Sequence, residues 1–244
     1  MRLTSHEIWG GTCTGSQSHR CPNFEAHLFT RAAGGGEGGD IHSFHAVETG
    51  AARLVVADVM GHGPSVARKA RWIYRQFLDA LDCPDDCEVL TDLNERILAE
   101  RRAAMTTAVV MGIDAQARLL TWANAGHLPI LFYRDDAMGW RVLWQVEPGI
   151  ISGIPLGARP ETEYFTRRAP VQSGDRFLVV TDGVIDALGQ DDVEFGFDRL
   201  RAILQDHRFE SVADVFRVAV DSVVEFANGH LDHDDVTLAM VGVR

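Results

Sequence analysis

Acidic residues stand at the ends of three apolar segments that are typical of β-strands and lie far apart in the chain. These acids are Asp58 after residues 54–57, Asp182 after residues 177–181, and the pair Asp234 and Asp235 before residues 236–240. If the first two strands run one way and the third runs back beside them, the carboxylates converge at one end of a sheet. Only a hard cation makes such a density of negative charge tolerable. The pattern therefore predicts a divalent-metal site of the kind that hydrolases use.

A fourth acid, Asp40, follows a glycine-rich stretch and is expected to join the same site. Residues 34–39 include five glycines, and we interpret the stretch as a turn or bulge that ends a strand over 25–32. We expect its last two glycines, Gly38 and Gly39, to position Asp40. Taken alone, each acid is equally well explained as a turn or strand-end residue. Four acids in ordered contexts favour a shared site.

Carboxylates without a matching set of His or Cys ligands favour Mg²⁺ or Mn²⁺ over zinc or copper. Two such ions about 3.5–4 Å apart stabilise the attacking and leaving oxygens of a phosphoryl displacement. No serine stands in a Gly-x-Ser-x-Gly context, and the spacing of Cys13, Cys21, His6 and His19 matches no common zinc pattern. The expected chemistry is therefore phosphate ester hydrolysis by metal-activated water.

Composition limits the classes of protein to which the chain can belong. Its 244 residues are 46% hydrophobic and 24% charged, as in globular proteins, and no linker divides them, so we favour one domain. The formal charge is −12, with 23 Lys and Arg against 35 Asp and Glu, which argues against a nucleic-acid partner. Neither a signal peptide nor an apolar run of about 18 residues is present, so we expect no membrane partner and a cytoplasmic location.

The periodicity of apolar residues predicts the order of the elements. Helical spacing predicts amphipathic helices over 65–81, around 89–98 and from Ser211 to Val223. Strands are predicted over 25–32, 107–113, 118–123, 128–133, 140–146, 177–181 and 236–240. This order predicts an α+β fold, a four-layer α-β-β-α sandwich of two antiparallel sheets flanked by helices.

Six short motifs carry a resemblance to a known family. They are Gly38-Gly39-Asp40, Asp58-Val59-Met60-Gly61-His62-Gly63, Asn124-Ala125-Gly126-His127, Gly153-Ile154-Pro155-Leu156-Gly157, Thr181-Asp182-Gly183-Val184 and Asp234-Asp235-Val236-Thr237. In this order they resemble the motifs of bacterial PPM/PP2C-type serine/threonine protein phosphatases, in the SpoIIE/RsbU branch. The resemblance covers a domain over 25–244, and residues 1–24 form an extension that is part of that domain or packs on it. It implies the same sandwich fold, two Mn²⁺ or Mg²⁺ ions, and hydrolysis of phosphoserine or phosphothreonine on a protein.

The resemblance also implies roles for single residues. Asp58 would bridge both metals, and the main-chain carbonyl of Val59 would complete one site. Asp182 and Asp234 would supply further carboxylates, and Asp40 would act on a metal directly or through a water molecule. These four aspartates are the expected catalytic residues.

Three other residues keep alternative roles. Asp235 stays a candidate metal ligand beside Asp234, although alternation along a strand would turn one of two adjacent acids away. His62 is either a general acid or a helix cap. Arg31 is a candidate for binding the substrate phosphate, but an ordinary solvated strand-end charge is the simpler interpretation.

In this branch of the family the substrate is commonly a phosphorylated STAS-domain regulator of partner-switching signalling. The sequence also allows a regulatory protein partner. Two alternative functions stay open: a pseudo-phosphatase that is a weakly active or inactive binding module, and a small-molecule phosphoesterase. Retention of four acids argues against the first alternative, because an inactive module has no need for carboxylates that repel one another.

Overall fold

The computed structural model describes residues 5–47, 50–61, 63–80, 83–100, 105–136, 138–143 and 153–244. Within these ranges the chain forms twelve strands and five α-helices. The strands are β1 (Ser5–Cys13), β2 (Gly15–Arg20), β3 (Phe24–Arg31), β4 (Glu37–Val47), β5 (Ala51–Val59), β6 (Thr106–Asp114), β7 (Leu119–Ala125), β8 (Leu131–Arg134), β9 (Gly139–Val142), β10 (Arg167–Pro170), β11 (Arg176–Val180) and β12 (Val236–Val243). The helices are α1 (Pro64–Asp79), α2 (Asp86–Ala99), α3 (Asp182–Ile185), α4 (Phe197–Asp206) and α5 (Val212–Phe226).

The strands form two six-stranded antiparallel sheets. The first sheet has the order β1-β4-β5-β6-β7-β10, and the second has the order β2-β3-β12-β11-β8-β9. The side chains of β5 show how the sheets pack, because successive residues of a strand point to opposite faces. Leu54 and Val56 belong to the apolar core between the two sheets, whereas Val55 and Ala57 belong to a second core under α1 and α2.

A third apolar core joins the second sheet to α4 and α5. Leu178 and Val180 of β11 contribute to it from one side, and Val215 and Ala219 of α5 contribute from the other. Three apolar cores between four layers confirm the predicted α-β-β-α sandwich. Within the described ranges, the helices are too short or too polar to cross a bilayer.

The second helix of each pair, α2 or α5, begins at a side-chain cap. Asp85 caps α2 by accepting a hydrogen bond from the main-chain N–H of Cys87 at 3.1 Å. Ser211 caps α5 by accepting one from the N–H of Asp214, also at 3.1 Å. These caps satisfy N–H groups that the first turn of a helix leaves without a partner.

Residues 5–20 contribute an edge strand to each sheet, since β1 pairs with β4 and β2 pairs with β3. The sequence did not predict strands over residues 5–20. This segment is rich in Gly, Ser and Thr and lacks the alternation of large apolar residues that indicates a strand. Its strands form because neighbouring strands offer main-chain hydrogen-bond partners.

Two predicted strands differ at their ends from the observed ones. The strand expected over 128–133 begins only at Leu131. Pro129 has no N–H for a ladder, and the side chain of Asn124 holds the preceding turn by hydrogen bonds to the main chain of His127. The strand expected over 140–146 is β9, which ends at Val142, and residues 144–146 lie outside the described ranges.

A buried ion pair ties β8 to the turn before β11. The guanidinium of Arg134 donates two hydrogen bonds to the carboxylate of Asp175, at 2.8 and 2.5 Å, and the main-chain N–H of Gln172 donates a third at 2.9 Å. The side chain of Asp175 is 0% exposed. Removal of one partner from a buried pair leaves the other charge uncompensated.

We therefore expect Asp175→Ala to lower the free energy of unfolding by about 3 kcal/mol. The matched control is Asp198→Ala, since the side chain of Asp198 is 93% exposed in its pair with Arg201. That control should change stability by less than about 1 kcal/mol. Urea denaturation of the three proteins measures both values, and equal effects of the two substitutions would contradict the structural role of the Arg134 pair.

Candidate metal centre

Asp40 and Asp58 face each other across neighbouring strands of the first sheet. The β4–β5 register pairs Asp40 with Asp58, two residues along from the pairing of His42 with Val56. Because alternate residues share a face, both aspartates point to the side where Val56 enters the core between the sheets. Asp40 is only 2% exposed, whereas Asp58 is partly exposed.

The other acids belong to the second sheet. Asp182 begins α3 two residues after β11 ends, and Asp234 and Asp235 immediately precede β12. The two strands are antiparallel neighbours, so the end of β11 lies beside the beginning of β12. The main-chain N–H of Thr181 donates to the carbonyl of Thr237 at 3.1 Å and continues this pairing.

The two groups of acids meet between the sheets and not at one end of a single sheet, so that part of the sequence prediction is wrong. The hydroxyl of Thr181 donates to Oδ2 of Asp40 at 2.8 Å, and the main-chain N–H of Gly39 donates to Oδ2 of Asp235. Both contacts cross from one sheet to the other. The sequence could not reveal this arrangement, because strand-end acids give the same pattern whether their strands share a sheet or face each other.

Burial and mutual repulsion raise the pKa values of Asp58 and Asp40. Burial, followed by the charges of Asp182, Asp234 and Asp235, raises the pKa of Asp58 to about 7. Burial, followed by the charge of Asp58, raises the pKa of Asp40 well above its ordinary value. These are the electrostatic conditions in which a bound cation most strongly stabilises the charged forms.

Asp186 is a further acid beside the site. Partial desolvation and then the charge of Asp186 raise the pKa of Asp182, and desolvation with the charges of Glu194 and Asp234 raises that of Asp186. Asp186 was not among the acids predicted from the sequence. Its position four residues after Asp182, one turn along a helix that starts at that acid, is the signal that could have found it.

Asp235 acts as a brace between the sheets. Its Oδ1 accepts a hydrogen bond from the main-chain N–H of Ala33 at 2.8 Å, and its Oδ2 accepts the one from Gly39. Its own N–H donates to Oδ1 of Asp234 at 2.8 Å. Both oxygens of Asp235 are thus engaged by main chain, and Asp234 is the more exposed of the pair.

Two glycines allow the main chain to approach closely at this point. A Cβ on Gly39 would lie 2.8 Å from the carbonyl oxygen of Val59 and 2.9 Å from a methyl group of Val66. A Cβ on Gly183 would lie 2.1 Å from the carbonyl oxygen of Asp235. Gly38 and Gly39 lie inside β4 and not in a turn, so their role in positioning Asp40 is one of close packing.

The donor atoms fit a hard divalent cation. Oδ1 of Asp40 is buried and has no hydrogen-bond partner among the described residues, and the main-chain carbonyl of Val59 lies nearby against Gly39. Across the described ranges, no three His, Cys, Asp or Glu side chains are arranged so that they could hold a metal ion. Carbonyl or water ligands would therefore have to complete a site, as is usual for Mg²⁺.

Arg31 is not brought into this group. Arg31 lies 3.6 Å from Asp232 in an exposed ion pair, and the alternation of β3 turns it away from the face on which Thr30 is buried. His127 accepts or donates at Nδ1 to the hydroxyl of Thr107 at 2.9 Å, and burial lowers its pKa to about 4. His62 lies outside the described residues.

Two facing antiparallel sheets with acids between them at one end define a PP2C-type domain. The SiaA PP2C domain of Pseudomonas aeruginosa superposes with a TM-score of 0.75 at 19% identity, over 89% of this chain and 85% of that domain. A crystal structure of RsbX in complex with magnesium superposes with a TM-score of 0.69 at 16% identity, over 94% of this chain and all of that one (100%).

The sequence gives the family. The profile of the family described as Stage II sporulation protein E (SpoIIE) matches residues 48–244, and the chain belongs to this family. The chain is also 25% identical over 215 residues to the phosphoserine phosphatase RsbP of Bacillus subtilis (strain 168). The matched region covers 84% of this chain and 49% of RsbP. It thus spans about half the length of that relative. The resemblance seen in the six motifs is confirmed for family and fold.

The raised pKa of Asp58 leads to a prediction for the metal-free protein. Folded Asp58 keeps its proton up to about pH 7, whereas an unfolded Asp loses it near pH 4. Between these values the folded state binds more protons, so this residue lowers stability as pH rises and its effect levels off above pH 7. The Asp58→Asn variant lacks this penalty. Its melting temperature should be no lower than that of wild type at pH 5 and higher than that of wild type at pH 8.

Thermal melts in EDTA at both pH values measure the difference between the two proteins. The control is Asp198→Asn, because Asp198 is exposed and distant in sequence from the acids of the centre. Removal of this exposed carboxylate should change the melting temperature less than Asp58→Asn does at pH 8. An Asp58→Asn protein that melts below wild type at pH 8 would show that Asp58 is a stabilising residue of the apo fold.

Proposed function

We propose that this domain is a metal-dependent protein phosphatase that hydrolyses phosphoserine or phosphothreonine on a regulatory protein. The observation that carries the proposal is the meeting of Asp40 and Asp58 from one sheet with Asp182 and Asp234 from the other. Membership of the SpoIIE family and similarity to the phosphoserine phosphatase RsbP support it. The magnesium in the RsbX complex supports a divalent cation as the cofactor.

Each acid has a role that follows from its position. Asp58 lies where the charges of Asp182 and Asp234 both reach it, so it is the residue that would contact two ions. The carbonyl of Val59 would add a neutral oxygen, and Asp40 would direct its free Oδ1 to the same space. When bound, two Mn²⁺ or Mg²⁺ ions would stabilise the charge on the phosphoryl oxygens and activate the attacking water.

Asp235 would hold the centre together without binding a metal. Its two oxygens already accept hydrogen bonds from Ala33 and Gly39, so ligation would break contacts that join the sheets. Asp234 lies in the bend before β12, is more exposed than Asp235, and its charge contributes to the raised pKa of Asp58. We therefore propose Asp234 as the metal ligand of the adjacent pair.

The similarity to a phosphoserine phosphatase favours a protein substrate over a small metabolite. We therefore infer that the phosphorylated side chain of a protein reaches the acids, and a STAS-type regulator is the class that the family resemblance implies. A small cavity of about 20 Å³ lies beside Asp234, between Asp186, His230 and His233.

The test is hydrolysis of p-nitrophenyl phosphate and of a phosphoserine peptide, with Mn²⁺, with Mg²⁺ and after treatment with EDTA. We expect turnover only with a divalent ion, and Asp182→Asn should reduce kcat at saturating Mn²⁺ by about a hundredfold or more, because it removes several kcal/mol of charge stabilisation. Asp198→Asn is the exposed control and should keep wild-type turnover.

Each other outcome points to a different account. Turnover that survives EDTA would overturn metal-dependent chemistry, and near-normal turnover in Asp182→Asn would show that this carboxylate is a turn residue only. A wild-type protein that binds Mn²⁺ but hydrolyses neither compound would support the inactive binding module. Hydrolysis of p-nitrophenyl phosphate without hydrolysis of the peptide would favour the small-molecule phosphoesterase.

A further inference from the structure

Thr181 connects the second sheet to the side chain of Asp40. Its hydroxyl lies 2.8 Å from Oδ2 of Asp40 and 2.9 Å from the main-chain nitrogen of Thr237. Thr181 and Thr237 are both 0% exposed, and Asp40 is 2% exposed. The motif Thr181-Asp182-Gly183-Val184 indicates a metal ligand at Asp182. It does not indicate a role for the side chain of Thr181.

The main-chain N–H of Thr237 can only donate, so the Thr181 oxygen accepts a hydrogen bond from it. When Asp40 is ionised, as a metal ligand is, the single proton of the Thr181 hydroxyl goes to its carboxylate. The hydroxyls of Thr237 and Thr30 lie 3.0 Å apart, and the Thr237 side chain also hydrogen-bonds to Asp40. Thr181 therefore donates to Asp40 in an orientation that β12 holds.

The consequence for Asp40 is that its two oxygens differ. Oδ2 receives the Thr181 proton, whereas Oδ1 is buried and has no protein partner in the described part of the chain. A buried carboxylate oxygen without a partner is costly, unless a cation or a water molecule binds it. The hydrogen bond to Oδ2 fixes the plane of the carboxylate and so the direction in which Oδ1 points.

We propose that Thr181 is a positioning residue that orients Asp40 so that its Oδ1 serves the metal centre. The proposal rests on the function proposed above and adds a residue that holds a ligand without touching the ion itself. Partners that hydrogen-bond to metal-ligating carboxylates typically change metal affinity or activity by about 10–100-fold when they are removed. Thr181 meets that description for Asp40.

The informative variants are Thr181→Val, Thr181→Ser and Thr30→Val. Thr181→Val keeps the volume and branching of the side chain but cannot donate to Asp40, whereas Thr181→Ser keeps the hydroxyl. Thr30→Val is the matched control, because Thr30 is buried in the same chain of hydroxyls but contacts Thr237 and not Asp40.

Isothermal titration with Mn²⁺ gives the metal Kd of each protein, and p-nitrophenyl phosphate gives kcat at saturating Mn²⁺. We expect Thr181→Val to weaken Mn²⁺ binding about tenfold or more. Thr181→Ser should restore binding to within about threefold, and Thr30→Val should leave the Kd at the wild-type value. Thermal melts in EDTA show that each variant is folded.

A double-mutant cycle with Asp40→Asn separates positioning from general loss of stability. If Thr181 acts through Asp40, Thr181→Val should have no further effect on the Mn²⁺ Kd in the Asp40→Asn background. Equal weakening in both backgrounds, or a wild-type Kd in Thr181→Val, would overturn the proposal. A wild-type protein that neither binds Mn²⁺ nor shows metal-dependent turnover would instead overturn the proposed function, so the two failures are distinguishable.

Discussion

Repulsion between carboxylates that are held together at the end of a double sheet is the constraint on which this structure depends. Asp40 and Asp58 lie opposite each other on one sheet, and the charges of Asp182 and Asp234 reach Asp58 from the other. Burial and then these charges raise the pKa of Asp58 to about 7, so a further negative charge is unfavourable at this point. The chain keeps the acids together because the elements that carry them are fixed elsewhere.

Three apolar cores and antiparallel pairing provide that fixation. The core between the sheets holds β5 against β11 and β12, and the outer cores hold each sheet against its helices. Close to the acids, Asp235 and Thr181 join the sheets by hydrogen bonds to Gly39 and Asp40. Apolar packing along the sandwich thus stabilises the fold. The acids at one end of the sandwich can therefore lie close together.

The sequence predicted the sandwich and the participating acids because both leave local signals. The apolar run of residues 54–57 and the helical stripe from Val66 to Phe77 can be recognised from neighbouring residues alone. Contacts between sheets leave no such period, so the hydrogen bond from Thr181 to Asp40 and the brace at Asp235 could not be predicted. The positions of β1 and β2 were also missed, because their pairing is decided by β4 and β3.

The most direct test of the central claim is a crystal structure of the protein grown with Mn²⁺, with the ions located by their anomalous scattering. We expect two anomalous peaks of manganese about 3.5–4 Å apart. Asp58 should bridge them, Asp182 and Asp234 should bind on the side of the second sheet, and Asp235 should keep its bonds to main chain. Manganese bound only elsewhere on the surface, with Asp58 free of metal, would contradict the assignment of these acids as a metal centre.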